Sequence, residues 1–188
     1  MSTLQSVLSV LAPNIRPRQP ERAEWAGGDR DCRYTPSEIY VPIIDVFGEI
    51  DLDPCSDEFS KIPAKAIITK EKDGLTVTWE GSVAFVNPPF SGSAAWIRKC
   101  NAEWCASSCR TIVGLFPART HTVSFHREVI GCADVLLLER RIRFLDPLGA
   151  TRNPAPFGCM LVVWGAQAGQ MQALQSRLPG ALIPRSSI

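Results

Sequence analysis

Asn87-Pro88-Pro89-Phe90 is the stretch of this chain best equipped for chemistry, and it follows directly on the apolar run Ser82-Val83-Ala84-Phe85-Val86. A strand that ends this way presents an amide oxygen, a main-chain carbonyl and an aromatic ring in one stiff turn. The two prolines hold φ near −65° and remove two main-chain donors, so a ligand must supply the partners for the carbonyls. A planar group carrying an NH₂ fits that arrangement. The Asn87 side-chain oxygen and the Pro88 carbonyl can each accept one amino hydrogen while Phe90 stacks on the ring. The nitrogen lone pair then turns out of conjugation, and the amine becomes nucleophilic without being deprotonated. The same residue types also make ordinary strand-to-loop turns. With the complete tetrapeptide after a buried strand, transfer of a methyl group to an amine is the chemistry expected, although adenine, cytosine and glutamine amides would all suit it.

A nucleophilic amine needs an electrophile held beside it, and carboxylates at strand ends are candidates for holding one. Asp53-Pro54-Cys55-Ser56 follows the strand-like Ile50-Asp51-Leu52, and Asp73-Gly74-Leu75 follows the next such run after a lysine-rich link. A carboxylate in that position can accept from an ammonium or from ribose hydroxyls. Asp53 equally suits an Asx turn or helix cap, and Asp73 beside glycine suits a plain turn. Neither place carries a Gly-x-Gly-x-x-Gly phosphate fingerprint, which disfavours dinucleotides and nucleoside triphosphates and is compatible with S-adenosylmethionine.

The elements that must position these residues alternate along the chain. Thr35 is expected to cap a helix that runs to about Val46, with Pro36 in its first turn. Strands are expected at 50–53, 66–69, 82–86, 111–116, 133–138 and 157–164, with a helix at 94–105 and a basic hairpin-like stretch at Arg140-Arg141-Ile142-Arg143-Phe144. Short apolar strands interleaved with helices indicate an α/β sheet covered on both faces, with ligands beyond the carboxyl ends of its strands. Residues 1–31 read as a flexible lead-in with several prolines, 32–165 as the single α/β domain, and 166–188 as a C-terminal helix and tail with Met171, Leu174 and Leu178 on its apolar side.

The 188 residues suffice for one domain, with 45% hydrophobic and 21% charged residues. No apolar run approaches the ~20 residues of a membrane span, and a cytoplasmic location is expected. Seven cysteines scattered through core-like segments do not read as a disulfide framework. Cys100, Cys105 and Cys109 lack zinc-knuckle spacing, so no metal is expected. The net charge of +1 hides an asymmetry. Residues 37–80 hold ten acids against four lysines, and residues 98–152 hold nine basic residues against five acids. The second stretch could face a polyanion. Within it, Arg141 and Arg143 flank Ile142 and share one face of an extended segment, and Arg119 follows a strand end; these three are the candidate contacts to such a polyanion. His121 and His126 are not assigned as bases.

The ordered set Trp25, Tyr34-Thr35-Pro36, Ile50-Asp51-Leu52-Asp53-Pro54-Cys55, Asp73-Gly74-Leu75, Trp79, Asn87-Pro88-Pro89-Phe90-Ser91, Trp96 and Lys99 resembles the phage-type DNA N6-adenine methyltransferases, relatives of the Dam-like enzymes. The resemblance continues through Phe116-Pro117-Ala118-Arg119-Thr120, Arg141-Ile142-Arg143-Phe144 and Ala155-Pro156-Phe157-Gly158-Cys159-Met160-Leu161-Val162, and covers roughly residues 25–165. It implies a Rossmann-like, S-adenosylmethionine-dependent enzyme acting on the adenine amine of double-stranded DNA in a bacterial host cell, encoded by phage or prophage. It further implies that Thr35, Pro36, Asp53, Pro54 and Cys55 contact the cofactor, that Asp73 lies near its adenosine, and that Asn87, Pro88, Pro89 and Phe90 form the catalytic turn. Phe90 departs from the tyrosine more usual there. Stacking survives that change, whereas any role for a phenolic hydroxyl does not. Direct transfer to a flipped-out base, with no covalent intermediate, is the mechanism expected. The alternatives are an RNA base, cytosine N4 or a protein amide as substrate, or a DNA-binding relative without turnover. There is no insert the size of a separate recognition domain.

Overall fold

A computed structural model describes residues 33–185. The expected N-terminal lead-in lies outside the described residues. The fold is mixed α/β, built on a seven-stranded sheet in the order β2-β1-β3-β4-β6-β5-β7. The strands are β1 (Leu52–Asp53), β2 (Ala66–Ile67), β3 (Gly81–Val86), β4 (Cys109–Pro117), β5 (Asp134–Leu138), β6 (Cys159–Trp164) and β7 (Gly180–Ile183). The pairs β1–β2, β1–β3 and β3–β4 are parallel, and β6 runs antiparallel to both β4 and β5. The first five strands therefore point the same way, with β6 and β7 reversed.

Among the described residues the α-helices are α1 (Ser37–Phe47), α2 (Ser93–Cys105), α3 (Val123–Glu128) and α4 (Gln170–Arg177). They cover both faces of the sheet because the central strands are apolar on both sides. Ile39, Ile43 and Phe47 of α1, with Met171 and Leu174 of α4, pack on Val83, Phe85, Val113, Leu115 and Leu161. On the opposite face, Trp96, Ile97 and Cys100 of α2 and Phe125 of α3 pack on Ala84, Val86, Ile112, Phe116 and Val162. Alternation along β3, β4 and β6 thus feeds two cores, as a sheet buried on both faces requires. Strand β6 is buried throughout.

Register decides what reaches the carboxyl edge. Leu52 pairs with Ala84 and Val86 with Gly114, so the chain leaves β1 after Asp53 and β3 at Asn87 on one side of the sheet. Pro117 pairs with Cys159, which places the end of β4, the start of β6 and the residues after β5 at that same edge.

The structure differs from expectation at four places. Thr35 does not cap α1. Pro36 is the N-cap, with extended φ −74° and ψ 157° and no side-chain cap, and the Thr35 hydroxyl turns elsewhere. The basic stretch 140–144 is extended without regular strand pairing, joined across its loop by Arg152 N to Phe144 O and Ala155 N to Ile142 O, both 2.9 Å. Beyond α4 the chain adds β7 beside β5, a strand that local pattern did not announce. Helix α3 was likewise not anticipated.

Candidate active site

The site is built where the strap of residues 33–36, the turn after β1 and the turn after β3 converge. Asn87 Nδ2 donates to the Arg33 carbonyl at 2.6 Å and to Thr35 Oγ1 at 3.0 Å. The Arg33 carbonyl can only accept, so the amide orientation is fixed. Asn87 Oδ1 is consequently the free end. It is buried and has no hydrogen-bond partner. A buried acceptor left unpaired costs about 1–3 kcal/mol, and such an atom in a strand-end turn points to a donor that arrives with a ligand. Thr35 itself is buried.

The rest of the turn is equally fixed. Pro88 is buried and Pro89 exposed, and the Pro89 carbonyl accepts from Gly92 N–H at 3.0 Å in the short 3-10 turn Phe90–Gly92 that leads into α2. Phe90 is buried, with its ring set edge-to-face against Phe144 (5.7 Å) and Phe157 (5.6 Å). The Arg33 guanidinium carbon lies 5.2 Å from the centre of the Phe90 ring and 5.6 Å from that of Phe157.

Beside it, Asp53 is buried at the end of β1. Its Oδ1 accepts from Cys55 N–H at 3.2 Å and faces the Cys55 thiol at 3.7 Å, an Asx turn in a dry setting. Burial pushes the carboxyl up to about 6 against hydrogen bonds from Cys55 and Ser56, and the charged group acting on it is another acid, Asp57. A desolvated carboxylate with no cation beside it among the described residues is suited to a ligand's ammonium. The Cys55 thiol is raised well above its ordinary range by burial, while a hydrogen bond from the Asn87 main chain opposes the shift. The two turns therefore touch.

Asp73 is exposed, has a left-handed φ of 53°, and its Oδ1 accepts from Leu75 N–H at 3.1 Å, which is a plain turn. The neighbouring glycine matters more. A Cβ on Gly74 would stand 2.0 Å from the Pro54 carbonyl oxygen, so only glycine lets this turn close on the Asp53-Pro54-Cys55 turn.

The strap is tied on all sides. Tyr34 exchanges main-chain hydrogen bonds with Leu145 (2.9 and 3.2 Å), and its hydroxyl donates to Asp57 Oδ2 at 2.7 Å. These partners lie 111 and 23 positions away, so nothing local in the sequence marked Arg33 or Tyr34 as organisers of the site. The pattern of aromatic residues at 144 and 157 was visible, but their convergence on Phe90 was not.

Arg119, Arg141 and Arg143 are all exposed, and Ile142 and Phe144 between and after the last two are buried. The alternation expected of 141–144 is therefore present. The loop after it turns tightly, with Asp146 N bonded to Ala150 O and Ala150 N to Asp146 Oδ1, both 2.9 Å, and carries Leu148 at 91% exposure. His121 and His126 are exposed. Among the described residues no cluster of His, Cys, Asp or Glu side chains is placed to hold a metal ion, and the six described cysteines are free. No helix among them is long and apolar enough to cross a membrane.

A buried, unpartnered amide oxygen thus stands at the carboxyl edge of an α/β sheet, next to a desolvated carboxylate. Residues 23–178 match the model of the DNA N-6-adenine-methyltransferase (Dam) family, and the chain belongs to that family. Membership carries DNA adenine N6 methylation as the general activity. No curated protein and no solved structure matches the chain.

Proposed function

We propose that this protein is a Rossmann-like methyltransferase that uses S-adenosylmethionine to methylate N6 of adenine at specific sites in double-stranded DNA. The observation that supports the reading most is the unpartnered, buried Asn87 Oδ1 beside a fully engaged Nδ2. When bound, S-adenosylmethionine supplies a methyl group activated by a sulfonium. The residues present suit it. Asp53 offers a dry carboxylate to the ligand's ammonium, Thr35, Pro36, Pro54 and Cys55 line the neighbouring turns, and Asp73 stands on the turn that Gly74 seats against Pro54.

Asn87 Oδ1 and the Pro88 carbonyl then each accept one amino hydrogen of the adenine. Both hydrogens held in this way leave the nitrogen lone pair directed out of the ring plane. Orientation of this kind can contribute ~7–11 kcal/mol of barrier reduction, and no side chain need act as a base before bond formation. The adenine must leave the duplex to reach Asn87, at a cost of a few kcal/mol. Arg119, Arg141 and Arg143 at the same edge supply phosphate contacts. Leu148, on its hydrogen-bonded loop, is an apolar tip of the sort that can wedge into a base stack.

Labelled S-adenosylmethionine incubated with unmethylated duplex DNA, followed by nucleoside analysis, tests the reading. N6-methyladenine is the expected product. Label found only as N4-methylcytosine, only in RNA or only in protein would replace the substrate. Cofactor binding without any transfer would leave a DNA-binding relative without turnover.

A further inference from the structure

Trp79, Trp96 and Lys99 stand out in the sequence yet take no part in the chemistry above. Trp79 is fully buried near the end of the irregular link between β2 and β3. Its indole Nε1–H donates to the Gly74 carbonyl at 2.8 Å, and its main-chain N–H donates to Glu103 Oε2 at 3.2 Å. Lys99 Nζ donates to the Val77 carbonyl at 2.7 Å, lies 2.5 Å from Glu103 Oε1, and stands 5.8 Å from the centre of the Trp79 ring. Three main-chain groups of a loop without strand pairing are thus met by three side chains, two of them on α2. The Lys99 and Glu103 side chains are only 16% and 8% exposed. Taking such a pair out of water costs more than the attraction returns unless further hydrogen bonds complete it, and here the completing bonds go to the loop.

What the loop carries is Gly74, seated against the Pro54 carbonyl. A Cβ added there would also stand 3.0 Å from Trp96 Cη2, and the Trp96 ring lies 6.3 Å from that of Trp79. The start of the same helix holds the catalytic turn, where Ser93 Oγ donates to the Phe90 carbonyl at 2.8 Å. Helix α2 therefore grips the turn after β3 at one end and the loop beneath the Asp53-Pro54-Cys55 turn further along. We propose that Trp79, braced by the Lys99–Glu103 pair, is a positioning residue for the methyl donor: it holds Gly74 on the Asp53-Pro54-Cys55 turn and so sets that turn against Asn87. The inference rests on the reading above that this turn holds S-adenosylmethionine. Trp79 acts through the Gly74 carbonyl, and Lys99 and Glu103 act through Val77 and Trp79.

Steady-state kinetics of two variants test this. Trp79→Phe keeps a ring beside Trp96 and removes the donor to Gly74. Its KM for S-adenosylmethionine should rise roughly tenfold, with kcat within about threefold and affinity for duplex DNA within about twofold of wild type. A folded variant with an unchanged KM for S-adenosylmethionine would overturn the proposal, since a ring that only fills the core would lower thermal stability without that split. Lys99→Gln is uncharged and one atom shorter, so it should raise the same KM about fivefold, and Lys99→Arg should raise it less. Combining Trp79→Phe with Lys99→Gln should raise it by well under the product of the single effects, because both act through one loop. A combined rise equal to that product would also overturn the proposal. If Trp79→Phe does not fold, Lys99→Gln and Lys99→Arg read the same split, and a KM unchanged in both would be decisive against it. Wild-type protein that binds no S-adenosylmethionine in calorimetry would overturn the underlying reading, an outcome told apart because it needs no variant.

Discussion

Asp53 shows how a single residue can be tuned for a ligand at the expense of the ligand-free fold. Its folded pKa is about 6, raised by burial from the ordinary 3.8. The folded state therefore prefers the acid form. The stability this group contributes is present below 3.8 and is lost as pH rises through about 6. Asp53→Asn should consequently stabilise the ligand-free protein above pH 6 by ~1–3 kcal/mol in chemical denaturation, while weakening binding of S-adenosylmethionine at least tenfold by calorimetry. In the wild type, that binding should strengthen as pH rises through about 6, because the carboxylate is the form that attracts an ammonium. Phe90 suits its setting. The ring is buried among Phe144, Phe157 and the Arg33 guanidinium, so a phenylalanine leaves no hydroxyl in search of a partner. Phe90→Ala should cost ~3–5 kcal/mol of stability as the cluster loses its centre.

At the scale of elements, the site depends on loops brought to one edge by register. Gly74→Ala tests that dependence. Its Cβ would collide with the Pro54 carbonyl and push the Asp53-Pro54-Cys55 turn away. The KM for S-adenosylmethionine should rise roughly tenfold with a much smaller change in DNA binding, a difference that steady-state kinetics and a gel-shift assay read separately. The strands that carry these turns were legible because they are short apolar runs between turn formers. Helix α2 and the tail helix α4 were legible from their apolar spacing. Thr35 was misread as a cap because its neighbours Pro36-Ser37-Glu38 look like a helix start, whereas its hydroxyl is taken by an asparagine 52 positions on. Strand β7 escaped because it is only 4 residues long with none of them buried, and its partner is β5, far back in the chain. The Asn87, Asp53 and Pro54 turns could be named from local sequence. Which side-chain atom remained free could not, since that follows from contacts made by Arg33.

The whole molecule sorts its charge in keeping with its proposed partner. The acid-rich stretch 37–80 contributes the buried carboxylate, and the arginines of the later stretch stand exposed near the carboxyl edge. If Arg141 and Arg143 each neutralise one phosphate, the variant Arg141→Ala with Arg143→Ala should reduce the slope of log affinity against log salt by ~1.8, weakening all duplex sequences alike. An unchanged slope would place the phosphate contacts elsewhere. The central claim is that Asn87 acts by orienting the substrate amine, and the most direct test is single-turnover methyl transfer to unmethylated duplex DNA by Asn87→Ala. The account predicts that the variant stays folded and binds S-adenosylmethionine within a few-fold of wild type, yet transfers its methyl about 10²–10³ times more slowly. A variant that binds the cofactor and transfers methyl at near the wild-type rate would contradict it.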